Sequence, residues 1–102
     1  LLRDGDVIEC SGLSFKIIHT PGHTKGGICI LVENALFTGD TLFNASIGRT
    51  DFPGGSMDEI IRSIKGKLYT LPDDTNVYPG HGITTTICYE KKYNPFCRAV
   101  DN

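Results

Sequence analysis

The sequence predicts an α/β domain in which a mixed sheet carries its helices on one face. Three observations predict it. Apolar segments of strand length ("FKII" at 15–18, "ICILV" at 28–32, "ALF" at 35–37) crowd the first third of the chain. Apolar residues then recur at helical spacing from Met57 to Leu68. A further short strand segment and a second helical segment follow, so the order is strands, helix, strand, helix, with no internal repeat. At 102 residues the chain has room for one small domain, residues 1–102.

"DVIEC" (6–10) and "SFKIIHT" (14–20), separated by Ser11-Gly12-Leu13, read as a hairpin with Phe15 and Ile17 on one face. Residues 27–33, "GICILVE", are apolar at consecutive positions, as in a strand covered on both sides. Asn34 turns the chain into "ALFTGD" (35–40). From Thr41 to Gly55 the pattern dissolves into a long loop. Ser56-x-x-Glu59 is a capping box, and Met57, Ile60, Ile61, Ile64 and Leu68 make the apolar stripe of the helix it opens, with Lys65 and Lys67 suiting its C-terminal turn. "TNVYPGHG" (75–82) reads as a strand running into a Pro-Gly turn. "TTTICYEKKYNP" reads as a helix capped by a threonine and ended before Pro95, and the chain's four tyrosines as ordinary amphipathic packing. If both helices cover one sheet face, the doubly apolar strand at 28–32 still needs cover on the other. A missing segment or a second copy of the chain is expected there.

With 39% hydrophobic and 22% charged residues the chain is globular, neither disordered nor fibrous. A net charge of -2 gives no footprint for nucleic acid or an anionic membrane, and the longest apolar run, Ile28 to Val32, is too short to span a bilayer. The cysteines at 10, 29, 88 and 97 form no C-x-x-C pair, so free thiols in the cytoplasm are expected. No targeting leader is visible before the first pattern, and the absence of an initial Met points to a piece of a longer chain.

Three residues share one context: His23 in "TPGHT", Asp40 in "TGDT" and His81 in "YPGHG" each follow a strand and adjoin a glycine turn. Side chains at strand ends converge along a sheet edge, and two imidazoles with a carboxylate are a ligand set for zinc or iron. Taken singly, each histidine reads as readily as a hydrogen-bonded surface residue, and Asp40 as a turn cap. His19 sits inside a strand and reads as packing. Arg49 and Asp51, in "IGRTDFPGG", are either an anion-holding pair for substrate or a salt bridge ordering the loop. No G-x-S-x-G elbow and no phosphate-binding glycine motif occurs.

"HTPGHTKGG", "LFTGDTLF", "IGRTDFPGG", "VYPGHG" and "EKKYNPF", in this order, resemble the metallo-β-lactamase-fold hydrolases, and within them the small glyoxalase II-like (hydroxyacylglutathione hydrolase-like) members. The resemblance implies half of a four-layer αβ/βα sandwich, the C-terminal half, because the signature H-x-H-x-D-H of the N-terminal half is missing. It implies that His23 joins a first metal, that Asp40 bridges both metals as the catalytic carboxylate, and that His81 joins the second. His19 matches no direct ligand. Zinc is the implied ion, two per complete protein, with iron or manganese as other occupants. The implied chemistry is attack of a metal-bound hydroxide on a thioester or ester, a small-molecule substrate. Arg49 falls where glyoxalase II has a lysine for glutathione, whereas Asp51 stands in place of a tyrosine and no helical domain follows "NPF". With two protein ligands per ion instead of the usual three, the chain alone is expected to bind metal weakly or not at all and to be inactive. The expected partners are the missing half or a second copy in a swapped homodimer. The alternatives are a non-catalytic module that keeps the half-fold, and a parent that is a one-iron persulfide dioxygenase.

Overall fold

A computed structural model describes residues 2–99. Six strands form one sheet in the order β1-β2-β3-β4-β7-β8. β1 (Val7–Cys10), β2 (Leu13–His19), β3 (Ile28–Val32) and β4 (Ala35–Gly39) run as an antiparallel meander. β7 (Asn76–Pro79) pairs parallel to β4, and β8 (Thr85–Thr86) pairs antiparallel to β7. The helices α1 (Met57–Gly66) and α2 (Ile87–Tyr93) bury Ile60, Ile64 and Ile87 in the same cluster as Cys29, Leu36 and Val77 of the sheet, so both lie on one face as the sequence predicts. Each such fully buried aliphatic side chain is worth about 1.5–3 kcal/mol relative to exposure.

The structure corrects several details. Only Ser11 (φ 51°) and Gly12 (φ 81°) turn the first hairpin, and Leu13 is already in β2. The long loop contains a second small sheet, β5 (Leu42–Phe43) paired with β6 (Ser46–Ile47), too short to leave an alternating pattern. Ser56 caps α1 by accepting from the Glu59 amide at 3.2 Å, but the reciprocal half of the box is absent: the Ser56 amide donates to Gly22 O at 2.7 Å. Met57 is half exposed, and Leu68 reaches the core from a 3₁₀ turn (Leu68–Thr70) beyond the helix end. Lys67 Nζ donates to His19 O (2.7 Å) and pairs with Asp4 (3.5 Å), tying the helix end to the end of β2. Of the tyrosines only Tyr69 is buried; Tyr78, Tyr89 and Tyr93 are exposed. Cys29 and Cys97 are buried, with thiols that burial pushes up in pKa and so keeps protonated and unreactive.

β3 is not covered on both sides. Cys29 and Leu31 face the helices, while Ile28, Ile30 and Val32 are half-buried on the opposite face. The register places Ile17, Ile30, Phe37 and Tyr78 in one cross-strand row on that face. Ile17 is covered, but Phe37 and Tyr78 are 45% and 39% exposed and stack on each other at 5.3 Å. This is the uncovered apolar surface expected from the sequence.

Candidate metal centre

The site forms where β2, β4 and β7 end on one sheet edge. β4 ends at Gly39 and hands the chain to Asp40, the turn after β2 carries His23, and the turn after β7 carries His81. Buried side chains weld these strand ends together. Thr20 Oγ1 lies 3.2 Å from Thr41 Oγ1 and 3.4 Å from Cys29 Sγ, and Thr38 Oγ1 donates to Leu42 O at 2.7 Å. The Gly80 amide donates to Gly39 O (2.8 Å), fixing the β7 turn against that of β4. The Gly48 amide donates to Thr41 O, and a Cβ at Gly48 would overlap Asp40 O, so only glycine lets the loop cross there.

The structure brings His23, Asp40 and His81 together and leaves His19 apart. The Asp40 carboxylate lies between the two imidazoles, with Oδ2 3.6 Å from His23 Nε2 and Oδ1 3.8 Å from His81 Nδ1. Both separations are too long for hydrogen bonds. His23 Nδ1 donates to Arg49 O at 2.8 Å, which leaves Nε2 bare in the neutral ring and facing the carboxylate. Two acceptors opposed in this way suit a cation between them, and anchoring of the remote ring nitrogen by a carbonyl is the usual support of a metal-ligating histidine. The donor set would suit divalent metal, with His23, Asp40 and His81 as the residues that would hold it. Among the described residues no three His, Cys, Asp or Glu side chains are gathered into a complete metal site. His19 instead donates from Nε2 to Lys25 O (2.9 Å) and closes the turn that carries His23.

An open cleft of about 760 Å³ surrounds the row. Phe43, Ile47, Phe52 and Ile83 give it apolar walls, and the His81 ring stacks on Phe43 at 4.6 Å while Phe52 meets the edge of His23 at 5.1 Å. Arg49 lines the same cleft and is bonded to Asp51 through both Nε (3.1 Å) and Nη2 (3.3 Å), so the salt bridge is formed at the cleft wall. Hydrogen bonding from Arg49 holds the Asp51 carboxyl below the usual carboxylate range, keeping the pair charged at neutral pH.

One residue of the site's support escaped the sequence reading. Glu90, in a segment that reads as an ordinary helix, is fully buried. Its carboxylate accepts from the Ala45 amide (3.0 Å), Thr85 Oγ1 (2.6 Å) and Asn94 Nδ2 (2.9 Å). Its signals were its place in the first turn of α2 and at the head of "EKKYNPF".

Comparison with known proteins bears on the fold and family. The hydroxyacylglutathione hydrolase GloC of Haemophilus influenzae is 46% identical over 92% of this chain and 45% of its own length. The crystal structure of ETHE1 from Myxococcus xanthus superimposes with a TM-score of 0.92 at 39% identity, covering 98% of this chain and 46% of that one. TTHA1623, solved in a di-iron-bound form, does so with a TM-score of 0.82 at 38% identity over 93% and 46%. The chain thus spans about half the length of the relatives it matches, as the sequence reading anticipates. No helix among the described residues is long and apolar enough to cross a membrane. Residues 1–81 match the Metallo-beta-lactamase superfamily, and the chain belongs to that family.

Proposed function

We propose that the chain contributes His23, Asp40 and His81 to a two-metal site of a hydrolase acting on thioesters or esters of the hydroxyacylglutathione kind, and that it is inactive by itself. The observation that carries this reading is the row of one carboxylate between two imidazoles, one of them anchored through its remote nitrogen. When bound, divalent metal would supply Lewis acidity toward a carbonyl and toward water. The chain's own side chains would do the rest. His23 and Asp40 are held ready by the Arg49 carbonyl and the welded strand ends. Phe43, Ile47, Phe52 and Ile83 would exclude water from an acyl group, and Arg49 would exchange Asp51 for an anionic group of the substrate. The 46% identity to GloC supports the thioester class, and the free cysteines support a reducing, cytoplasmic setting. Zinc is the proposed ion; the irons of TTHA1623 support iron as the other occupant.

Zinc content after dialysis and cleavage of a hydroxyacylglutathione thioester test the reading. The chain alone is expected to hold no stoichiometric zinc and to show no turnover, and a longer protein with H-x-H-x-D-H upstream is expected to do both. Stoichiometric zinc with thioester cleavage by the chain alone would sink the half-site reading. A start codon at the chain's own beginning would favour the non-catalytic module. Oxygen uptake by the iron-loaded longer protein would favour the persulfide dioxygenase, which iron's fit to the same donor set keeps as the second reading.

The Phe37–Tyr78 face belongs to the same proposal. The missing half would cover it in the longer protein, and a second copy would cover it in the isolated chain. Light scattering is expected to give a dimer for the isolated chain, and a stable monomer would count against this.

A further inference from the structure

The ring of His81 has little of its own to hold it. Its side chain is 75% exposed, and beyond the distant Asp40 oxygen its ring meets the face of Phe43, stacked at 4.6 Å with 29° between the planes. Phe43 rides on the β5–β6 hairpin, whose two pairs of partners give it little stiffness of its own. The tip of that hairpin, where Ala45 takes a φ of 57°, is pinned from below by α2. The Ala45 amide donates to Glu90 Oε1, and Asn94 Nδ2 bridges Ser46 O (3.0 Å) and the same Glu90 oxygen. The other carboxylate oxygen accepts from Thr85 Oγ1, which ends the loop that begins at His81. One buried carboxylate therefore ties both walls that meet at the His81 ring.

We propose that Glu90 is a positioning residue for His81. It acts through the hairpin that carries Phe43 and through Thr85, and not by touching substrate or metal. The assignment rests on the reading of His81 as a site residue, but its test reads ring position and not turnover, so its failure leaves the hydrolase reading standing. Glutamine can replace the carboxylate: its oxygen accepts from Ala45 and Asn94, and its amide donates to a rotated Thr85 hydroxyl. Alanine leaves a buried amide, a hydroxyl and a carboxamide without their partner.

Proton NMR of the three histidine rings in the isolated chain, without metal, tests it, with His81→Gln identifying the resonance. Protons over an aromatic face are shielded, so Phe43→Leu is expected to move the His81 signals downfield and to define the unstacked position. Glu90→Ala is expected to move them in the same direction by an amount approaching that of Phe43→Leu, with His19 and His23 unmoved, and Glu90→Gln to leave them near wild type. Unmoved His81 signals in a folded Glu90→Ala chain, equal movement of all three histidines, or no rescue by Gln would overturn the proposal. If Glu90→Ala does not fold, Thr85→Val severs one arm alone: a smaller downfield move confined to His81 supports the proposal, and none overturns it.

Discussion

Asp40→Ala is expected to abolish divalent metal binding on both sides of the site at once, whereas His23→Ala or His81→Ala weakens one side and leaves the other. The asymmetry follows from geometry, because the Asp40 carboxylate gives one oxygen to each imidazole's side. The side chain of Asp40 is 53% exposed and has no other partner of note, so its loss leaves the fold intact. The measurement is the melting temperature of the longer protein with and without zinc. A ligand at a hundred times its dissociation constant adds about 2.7 kcal/mol by mass action, and each kcal/mol is worth about 2–4 °C in a protein of roughly twice this length. Wild type should therefore gain about 5–11 °C at saturating zinc, and Asp40→Ala should gain nothing. In the longer protein the same substitution should lower thioester cleavage at least about a thousandfold, since several kcal/mol of charge stabilisation are lost and each 1.4 is tenfold. A zinc-dependent melting shift retained in Asp40→Ala would remove Asp40 from the site.

The second large effect is structural and lies in the turn that carries His23. Gly22 has a φ of 143°, and a Cβ there would overlap the backbone nitrogen and Cα of Ile60, where α1 begins its first buried turn. Neither party can give way. Ile60 is fully buried, and the Gly22 carbonyl itself accepts the Ser56 amide that precedes the helix. Gly22→Ala is expected to cost about 2–6 kcal/mol, combining roughly 1–3 for the strained backbone with 1–3 for overpacking. The melting temperature should fall by at least about 8 °C. Gly66→Ala supplies the control: it lies in α1 with open space around its Cβ position and no positive φ, and is expected to be neutral or stabilising by up to about 1 kcal/mol. Equal melting points for Gly22→Ala and wild type would show that the turn and the helix start are not in fact locked together.

Much of the site was legible because its grammar is local. A strand followed by a glycine turn and then a ligand-type residue is a statement about neighbours in sequence. It occurs at His23, Asp40 and His81, and the strand ends do meet. His19 was separable from His23 for the same reason, since it lies inside β2. The β5–β6 hairpin was not legible because strands of two residues have no period to read. Met57 was misplaced because helical spacing fixes a stripe but not its ends, and Met57 opens α1 three residues before its first buried position, Ile60. Within the chain only one face of β3 is covered, because apolar composition records what a strand can bury, not what is present to bury it.

The sequence by itself determined the longer strands and the two helices, the one-sided placement of the helices, the family resemblance and the three residues of the row. Those depend on period, turn chemistry and residue type, which are written within a few positions of one another. Only the tertiary structure decided that Asp40 sits between the imidazoles, that the Arg49 carbonyl fixes the His23 tautomer, that Asp51 occupies Arg49, and that Glu90 braces the wall beside His81. These are contacts between residues 17 to 45 positions apart or, for Arg49 and Asp51, set by a loop's path. A hydrogen bond across such a separation depends on where the sheet edge and the helix bring the two chains, which no local pattern records.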